Sequence, residues 1–277
     1  MANADIAATA VTALFVPGDR PDRFVKAAAA GPDLVIVDWE DAVAPHAKVE
    51  ARTATIEALS GGFEAVVRIN PAASPTFEAE LGALADLARI PGNGLLGIML
   101  PKAESRTEAE AALAPLPAGL PLLALVESAA GVVAAVDIAA TPGVTRLAFG
   151  AYDFALDVGA GDDDEFLAYA RSVLVVASRA AGIAAPLDTP TAEFTDETVV
   201  AARARYAQAF GFGGKLCIHP RQVPVVAEAF RPDAAAIEWA LKAAGAADGV
   251  SSIDGVMVDR PVIERAKSVL RRAGLDH

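Results

Sequence analysis

Glu127 and Asp153 are two carboxylates placed close behind short apolar runs, at 122–126 and 146–149. If those runs are neighbouring strands, the pair meets at one edge of a sheet. No histidine or cysteine cluster accompanies them. Oxygen-only donors of this kind suit Mg²⁺, with water or substrate oxygens completing an octahedron. The competing reading is that both carboxylates salt-bridge Arg68 and Lys102, and position alone does not separate the two. Arg68 ends another apolar run, at 65–69. Its planar fork suits a substrate carboxylate or an enolate oxygen, and equally an ion pair with Glu40 or Asp41. Lys102 has the chemistry of a Schiff-base lysine, but carboxylate neighbours would keep it protonated. His219, just before Pro220, reads as a structural hydrogen-bond donor rather than an acid or base. Cys217 lies inside the last apolar run and reads as a packed thiol. Gly211, Gly213 and Gly214 resemble a phosphate loop only loosely, because a strand follows them and not a helix.

These residues need a scaffold that brings them together. Eight apolar runs recur, at 13–17, 34–39, 65–69, 95–100, 122–126, 146–149, 184–187 and 216–218, separated by alanine-rich helical stretches. Near-continuous Val, Ile and Leu is the pattern of parallel strands buried on both faces. The starts are roughly 20–35 residues apart, the room one strand–helix unit takes. The expected fold is therefore α/β, a single (β/α)8 TIM barrel over 1–230 with a C-terminal helical extension, 231–277, acting as a lid or arm. An open doubly wound sheet would carry Gly-x-Gly-x-x-Gly after its first strand, which is absent. The tail should hold helices at 223–230, 234–243 and 261–272, with a loop at 247–255. A barrel opens its active site at the carboxyl ends of its strands. There the sequence places Asp19 and Arg20, Glu40 and Asp41, Arg68 and Asn70, Lys102, Glu127, Asp153, Asp188 and His219.

The chain of 277 residues carries a formal net charge of −13. That excludes nucleic acid and an anionic membrane surface as expected partners, since both need a basic footprint. A few local arginines can still hold a small anion. One cysteine allows no internal disulfide, which suits a reducing, cytoplasmic compartment. The first ten residues show no signal peptide, and no apolar run reaches the ~20 residues of a membrane span.

The strand-end segments resemble the citrate lyase beta-chain and malyl-CoA/citramalyl-CoA lyase family, within the pyruvate-handling barrels that include class II aldolases. The segments are LFVPGDR (14–20), VDWEDAV (37–43) with Lys48 and Arg52 downstream, VRIN (67–70), LPK (100–102), VESAAG (126–131), FGAYD (149–153), GKLCIHP (214–220) and GVMVD (255–259). The resemblance spans almost the whole chain in the family's order. It implies Mg²⁺ held by Glu127 and Asp153, with Glu127 also near substrate. It implies Arg68 on the keto-acid part of the substrate, Glu40 and Asp41 holding water around the metal, and CoA across the barrel mouth near Arg20 and Lys48. It also implies a homo-oligomer, trimer or hexamer. Two departures stand out. Many citrate lyase beta chains have glutamate where this chain has Tyr152. Class II aldolases carry a histidine base after strand two, where this chain has Glu40 and Asp41, with His46 further on. That argues against a simple pyruvate–aldehyde aldolase.

The implied reaction cleaves C2–C3 of a 3-hydroxyacyl-CoA thioester to acetyl-CoA and a 2-keto acid. Citramalyl-CoA is favoured over malyl-CoA and citryl-CoA. The alternatives are a malate synthase-like condensation with thioester hydrolysis, and a lyase subunit acting on a carrier-protein thioester within a complex. An acid must protonate the acetyl-CoA enolate carbon. The resemblance and the chemistry point to Asp259 on the tail, whose bland alternative is a cap on the helix beginning near Pro261.

Overall fold

The computed structural model describes residues 3–161, 163–245, 251–253 and 256–275. The chain divides into two compact units, Met1–Val226 and Ala227–His277.

The first unit is a closed barrel of eight strands: β1 Thr12–Pro17, β2 Leu34–Asp38, β3 Ala65–Arg68, β4 Leu95–Leu100, β5 Leu122–Val126, β6 Val144–Phe149, β7 Ala184–Asp188 and β8 Gly214–Cys217. Each pairs in parallel with the next, and β8 returns to β1. The helices are α1 Asn3–Thr9, α2 Phe24–Ala29, α3 Lys48–Ser60, α4 Phe77–Ala88, α5 Arg106–Leu113, α6 Ala129–Val133, α7 Ala135–Ala139, α8 Ala151–Asp157, α9 Asp164–Ala181, α10 Glu197–Phe210 and α11 Gln222–Phe230. The eight apolar runs match the strands to within two residues, because most are buried Val, Leu or Ile runs; β7 (AAPLD) and β8 (GKLC) are weaker examples.

Side chains along a strand alternate between barrel interior and helix layer. Leu34 and Ile36 of β2, Val66 of β3, Leu123 and Leu125 of β5 and Ala148 of β6 share the interior cluster. The same alternation continues upward. It brings Asp38, Arg68 and Glu127 onto the inward-facing side at the carboxyl end, above this apolar filling.

The strands are less free of charge than their sequences suggest. Arg146 lies within β6 and is 1% exposed. Its Nε donates to Ala185 O at 2.7 Å, and its Nη1 to Ala7 O at 3.1 Å and Ala10 O at 2.6 Å. These bonds tie α1 to the barrel floor, where Ala7 and Ala10 join the interior cluster.

The second unit holds α12 Ala234–Ala244, the strands β9 Ser251–Ile253 and β10 Val256–Val258, and α13 Arg260–Arg272. Its own core is Ala240, Ala243, Val258, Ile263, Ala266 and Leu270. The loop expected over 247–255 is corrected at 251–253. These residues pair antiparallel with β10, Val256 opposite Ile253. Two three-residue strands, one of them Ser-Ser-Ile, are too short to announce themselves by period, and the sequence signal is the Asp-Gly dipeptide at 254–255 between them. Residues 247–250 and 254–255, including Gly255 of the GVMVD segment, lie outside the described residues. Among the described residues no helix is long and apolar enough to cross a membrane.

Replacing Arg146 with leucine strips the buried carbonyls of Ala7 and Ala10, and the part-buried one of Ala185, of their donor. Thermal and urea melts should show a loss of about 3 kcal/mol, the cost of stranding several buried acceptors. An unchanged melting temperature would refute this role for Arg146.

Candidate active site

The centre of the barrel mouth is Arg68. Its Nε and Nη2 donate to the two oxygens of Asp38 at 2.7 and 2.6 Å, a bidentate pair between the ends of β3 and β2. Its Nη1 lies 2.8 Å from Glu40 Oε2 and 3.9 Å from Asp41. Phe15 of β1 lies beneath the guanidinium, 4.8 Å from ring centre to Cζ. Burial works against the charge on Arg68, but the Asp38 hydrogen bonds and the charges of Asp38, Glu40 and Glu127 raise its pKa above the ordinary value.

Asp38 also shapes the turn after β2. Its oxygens accept Glu40 N at 2.8 Å and Ala42 N at 3.0 Å. Glu40 is thereby turned inward and buried, while Asp41 remains exposed. Lys102 Nζ donates to Glu40 Oε1. Lys102 has φ 48°, the sole positive value among the described non-glycine residues. Strain of this kind persists where surrounding contacts over-determine it. Here the backbone N–H of Lys102 is held by Glu127 Oε1 at 2.8 Å while its ammonium reaches Glu40. Burial pulls the ammonium down, but Glu40, Asp41 and Glu127 outweigh it and raise its pKa. A protonated Lys102 fits the expectation that it forms no Schiff base.

Glu127, directly after β5, is 3% exposed. Burial, then the charges of Glu40 and Asp153, push its carboxyl up to about 8, against the Lys102 N–H and Arg68. Glu40 is also raised, by burial first and Asp41 in addition, with Arg68 and Lys102 opposing. Asp153 stands in the first turn of α8. The backbone between β6 and α8 makes room for Glu127 at Gly150. A Cβ there would sit 2.4 Å from Glu127 Oε2 and 2.6 Å from its Cβ. Five carboxylates (Asp38, Glu40, Asp41, Glu127 and Asp153) thus meet two cations (Arg68 and Lys102). The acidic excess lies toward Glu127 and Asp153, beyond the reach of the Arg68 fork, and it is this crowding, with burial, that holds a proton on Glu127 in the absence of a cation. An all-oxygen donor set with uncompensated charge fits a divalent cation of the Mg²⁺ type. Among the described residues no cluster of three or more protein ligands occurs. The ion would thus rely on water and substrate for the rest of its shell.

Lys48 departs from the expectation that it meets CoA. All three ammonium hydrogens have acceptors: Trp39 O at 3.0 Å, Glu40 O at 3.1 Å and Asn70 Oδ1 at 2.5 Å. A saturated ammonium braces the Glu40 turn and has no donor left for a phosphate. Arg20 is half-exposed at the rim, bidentate to Asp22 at 3.0 Å through both bonds. A cavity of about 560 Å³ opens between β1, α2 and the segment after β8. Val16, Arg23, Lys26, Ile218, His219 and Arg221 line it. His219 stacks on Phe194 at 4.5 Å and its Nδ1 accepts Arg221 N, which leaves the ring hydrogen on Nε2. Cys217 is buried, and burial pushes its thiol up to about 12. In the second unit, Asp259 caps α13, its Oδ1 accepting Val262 N at 3.2 Å.

Sequence reasoning named Arg68, Glu40, Asp41, Lys102, Glu127 and Asp153, and the structure brings these to one mouth. It placed Asp38 at the end of strand two but gave it no partner, although a carboxylate inside an apolar run must find one when buried. It missed Glu80, which receives Asn70 N at 2.8 Å and Asn70 Nδ2 at 2.6 Å from within α4.

Barrel and mouth together define an α/β-barrel protein with an acidic, arginine-centred site at its strand ends. The sequence profile of the HpcH/HpaI aldolase/citrate lyase family matches residues 12–220, and the chain belongs to that family. It is 38% identical over 271 residues to a citrate lyase subunit beta-like protein of Mycobacterium tuberculosis, covering 94% of each chain. It is 32% identical over 300 residues to an L-malyl-CoA/beta-methylmalyl-CoA lyase of Cereibacter sphaeroides, covering 94% and 93%. The crystal structure of CitE from M. tuberculosis in complex with magnesium, acetoacetate and coenzyme A superimposes with a TM-score of 0.84 at 36% identity, over 96% of this chain and 99% of that one.

Because Glu127 titrates near 8 when folded and near 4.5 when unfolded, the metal-free fold binds the extra proton between those values. Its stability therefore falls as pH rises through that window. A divalent ion competes with that proton. The rise in melting temperature on adding Mg²⁺ should grow from pH 6 to pH 8, and Glu127→Gln should abolish the pH dependence. A shift that is the same at both values would contradict the coupling.

Proposed function

We propose that the protein is a Mg²⁺-dependent carbon–carbon lyase that cleaves a 3-hydroxyacyl-CoA thioester to acetyl-CoA and a 2-keto acid. The observation that carries this reading is the uncompensated acidic pocket of Glu127 and Asp153 beside the fixed guanidinium of Arg68. The names of the relatives support it. Mg²⁺ at Glu127 and Asp153 would supply Lewis-acid stabilisation of the oxygen on which the keto carbonyl develops.

The chain's own residues do the rest. Arg68 spends one edge on Asp38 and turns Nη1 toward the mouth, where it meets the carboxylate and carbonyl of the keto-acid portion. A preorganised donor of this sort contributes about 3–4 kcal/mol to the transition state. Glu40 and Asp41 hold water and Lys102 around the site, and Lys102 and Arg68 oppose the rise that burial imposes on the Glu40 carboxyl. As the C2–C3 bond breaks, the hydroxyl passes its proton to the water held by Glu40 and Asp41, and the bonding pair passes into the thioester enolate. Asp259 on the tail of a neighbouring subunit delivers a proton to the enolate carbon. That role rests on the family resemblance and on the need for an acid that does not hold metal.

The 560 Å³ cavity takes the CoA portion. Arg23, Lys26 and Arg221 face its phosphates and Val16 and Ile218 its apolar arm, with Arg20 at the rim. Citramalyl-CoA is the favoured substrate, in a homotrimer or hexamer in the cytoplasm.

Purified protein alone, given citramalyl-, malyl- and citryl-CoA side by side, should release keto acid and acetyl-CoA from at least one. A chelator should stop release, and Mg²⁺ should restore it. Activity confined to a carrier-protein thioester would overturn the CoA reading, and free CoA among the products would favour the synthase–hydrolase alternative.

Asp259→Asn should abolish cleavage and acetyl-CoA proton exchange while leaving Mg²⁺ and CoA affinity nearly unchanged. A loss of about 1 kcal/mol in stability with turnover retained would reduce Asp259 to its cap. Lys26→Glu and Arg221→Glu should each raise KM for the thioester about tenfold, the effect of about 1.4 kcal/mol, with kcat little changed. An unaltered KM in both would place CoA elsewhere.

A further inference from the structure

A second cavity, about 150 Å³, lies between the start of α8, the α9 and α10 helices and the end of β7. Tyr152, Asp164, Arg171, Thr191, Arg203 and Lys215 are among its walls. It is separate from the CoA cavity and from the Arg68 cluster. The reaction proposed above uses none of its charged groups.

Arg171 and Lys215 are 3% and 2% exposed, so their charges are deeply buried. Burial of this degree demands partners. Asp188 supplies two: its Oδ1 accepts Arg171 Nε at 3.0 Å and its Oδ2 accepts Lys215 Nζ at 3.0 Å. Asp164 supplies two more, to Arg171 Nη1 at 3.1 Å and to Arg203 Nη1. Both carboxylates are spent on these bonds. Glu193 is engaged by its own turn, where Oε1 accepts Thr195 N, Thr195 Oγ1 and Asp196 N.

Donors are left over. Lys215 uses two ammonium hydrogens, on Asp188 and on Thr189 O at 2.5 Å, and has a third. The Nη2 groups of Arg171 and Arg203 are not used by the bonds above. Tyr152 Oη accepts Ala192 N at 3.1 Å, which leaves its own hydrogen to give. Thr191 is 7% exposed, and among the described residues its Oγ1 has no hydrogen-bond partner. A buried hydroxyl without a partner costs stability. Here it lines a cavity whose other buried side chains, Arg171 and Lys215, have donors to spare. Three cations (Arg171, Arg203 and Lys215) meet three carboxylates (Asp164, Asp188 and Glu193), so the buried lining offers unused donors rather than net charge, with exposed Glu193 held on its own turn. At about 30 Å³ for each water, the space holds roughly five heavy atoms.

We propose that this cavity is a binding site for a small oxyanion of the size of phosphate, held by Arg171, Arg203, Lys215, Tyr152 and Thr191. Arginine and lysine recognise the charge, and the hydroxyls fix its orientation. The site shares Ala151 and Tyr152 with the first turn of α8, one residue from Asp153. Occupancy braces that turn. On the reading of Asp153 given above, anion and Mg²⁺ therefore bind with positive coupling, which by linkage acts equally in both directions.

The test uses the full chain in chelator-treated, phosphate-free buffer, so that anion binding is read apart from the metal. Inorganic phosphate should raise the melting temperature saturably, with acetate and pyruvate titrated in parallel. Saturation at lower phosphate than carboxylate identifies a tetrahedral anion as the occupant; the reverse order identifies a short carboxylate, and either supports the site. Thr191→Val removes only the unpartnered hydroxyl. It should leave the melting temperature without anion equal or higher, and weaken the anion response at least tenfold. Arg203→Gln should weaken it similarly, while Lys26→Glu, in the CoA cavity, should not. No saturable shift with any of the three anions, or an equal shift in Thr191→Val and the parent chain, overturns the proposal. Binding without any change in Mg²⁺ affinity would overturn the coupling and leave the site standing.

Discussion

Arg68 is held from two directions at once, by the Asp38 fork and by Glu40, above the ring of Phe15. A buried guanidinium needs such partners, since desolvation of an unpaired charge costs several kcal/mol. Meeting that need organises the mouth. Asp38 cannot serve Arg68 without also closing the turn that aims Glu40 inward. Glu40 in turn draws Lys102 across from β4, and Lys102 presents its backbone N–H to Glu127 only in its strained conformation. Four strand ends are thereby locked by one chain of polar contacts. Pairs within it are best treated as a network, since removing one member disturbs the others.

The network is deliberately incomplete on one side. Every cation in it is spent near β2 and β4, while Glu127 and Asp153 are left to repel each other toward β6. A structure built only for stability would place a lysine or arginine there. Leaving the charge open favours a ligand that is itself positive, and the rigid Arg68 edge next to it favours one with an anionic substrate attached. Stability is supplied elsewhere, by the apolar barrel filling and by the Arg146 clamp on α1.

The barrel was legible because its eight strands are plain apolar runs, and so were the residues just after them. The roles within the mouth were less so. Glu40 and Asp41 are neighbours of the same type, yet one is buried and the other 59% exposed, a division set by the Asp38 turn and invisible in sequence. Lys48 looked like a phosphate ligand because a lysine near a mouth usually has free donors; its three carbonyl-type acceptors come from the two residues after β2 and from Asn70, just past β3, which no spacing rule links. Asp38, Arg146 and Lys215 sit inside strands that read as apolar, and their partners are 30, 136 and 27 residues away, Asp38 with Arg68, Arg146 with Ala10, and Lys215 with Asp188. Such long-range pairs are fixed by the closure of the barrel, not by local pattern.

The central claim is that Arg68 acts through the geometry of its fork and not merely through its charge. Arg68→Lys keeps the charge and loses the fork. With circular dichroism and melting measured beside steady-state kinetics on the thioester, the account predicts a folded variant whose kcat falls at least ~100-fold, as expected for a lost transition-state donor. A folded variant with unchanged kcat would contradict it and leave Arg68 as an ion pair that holds β2 to β3.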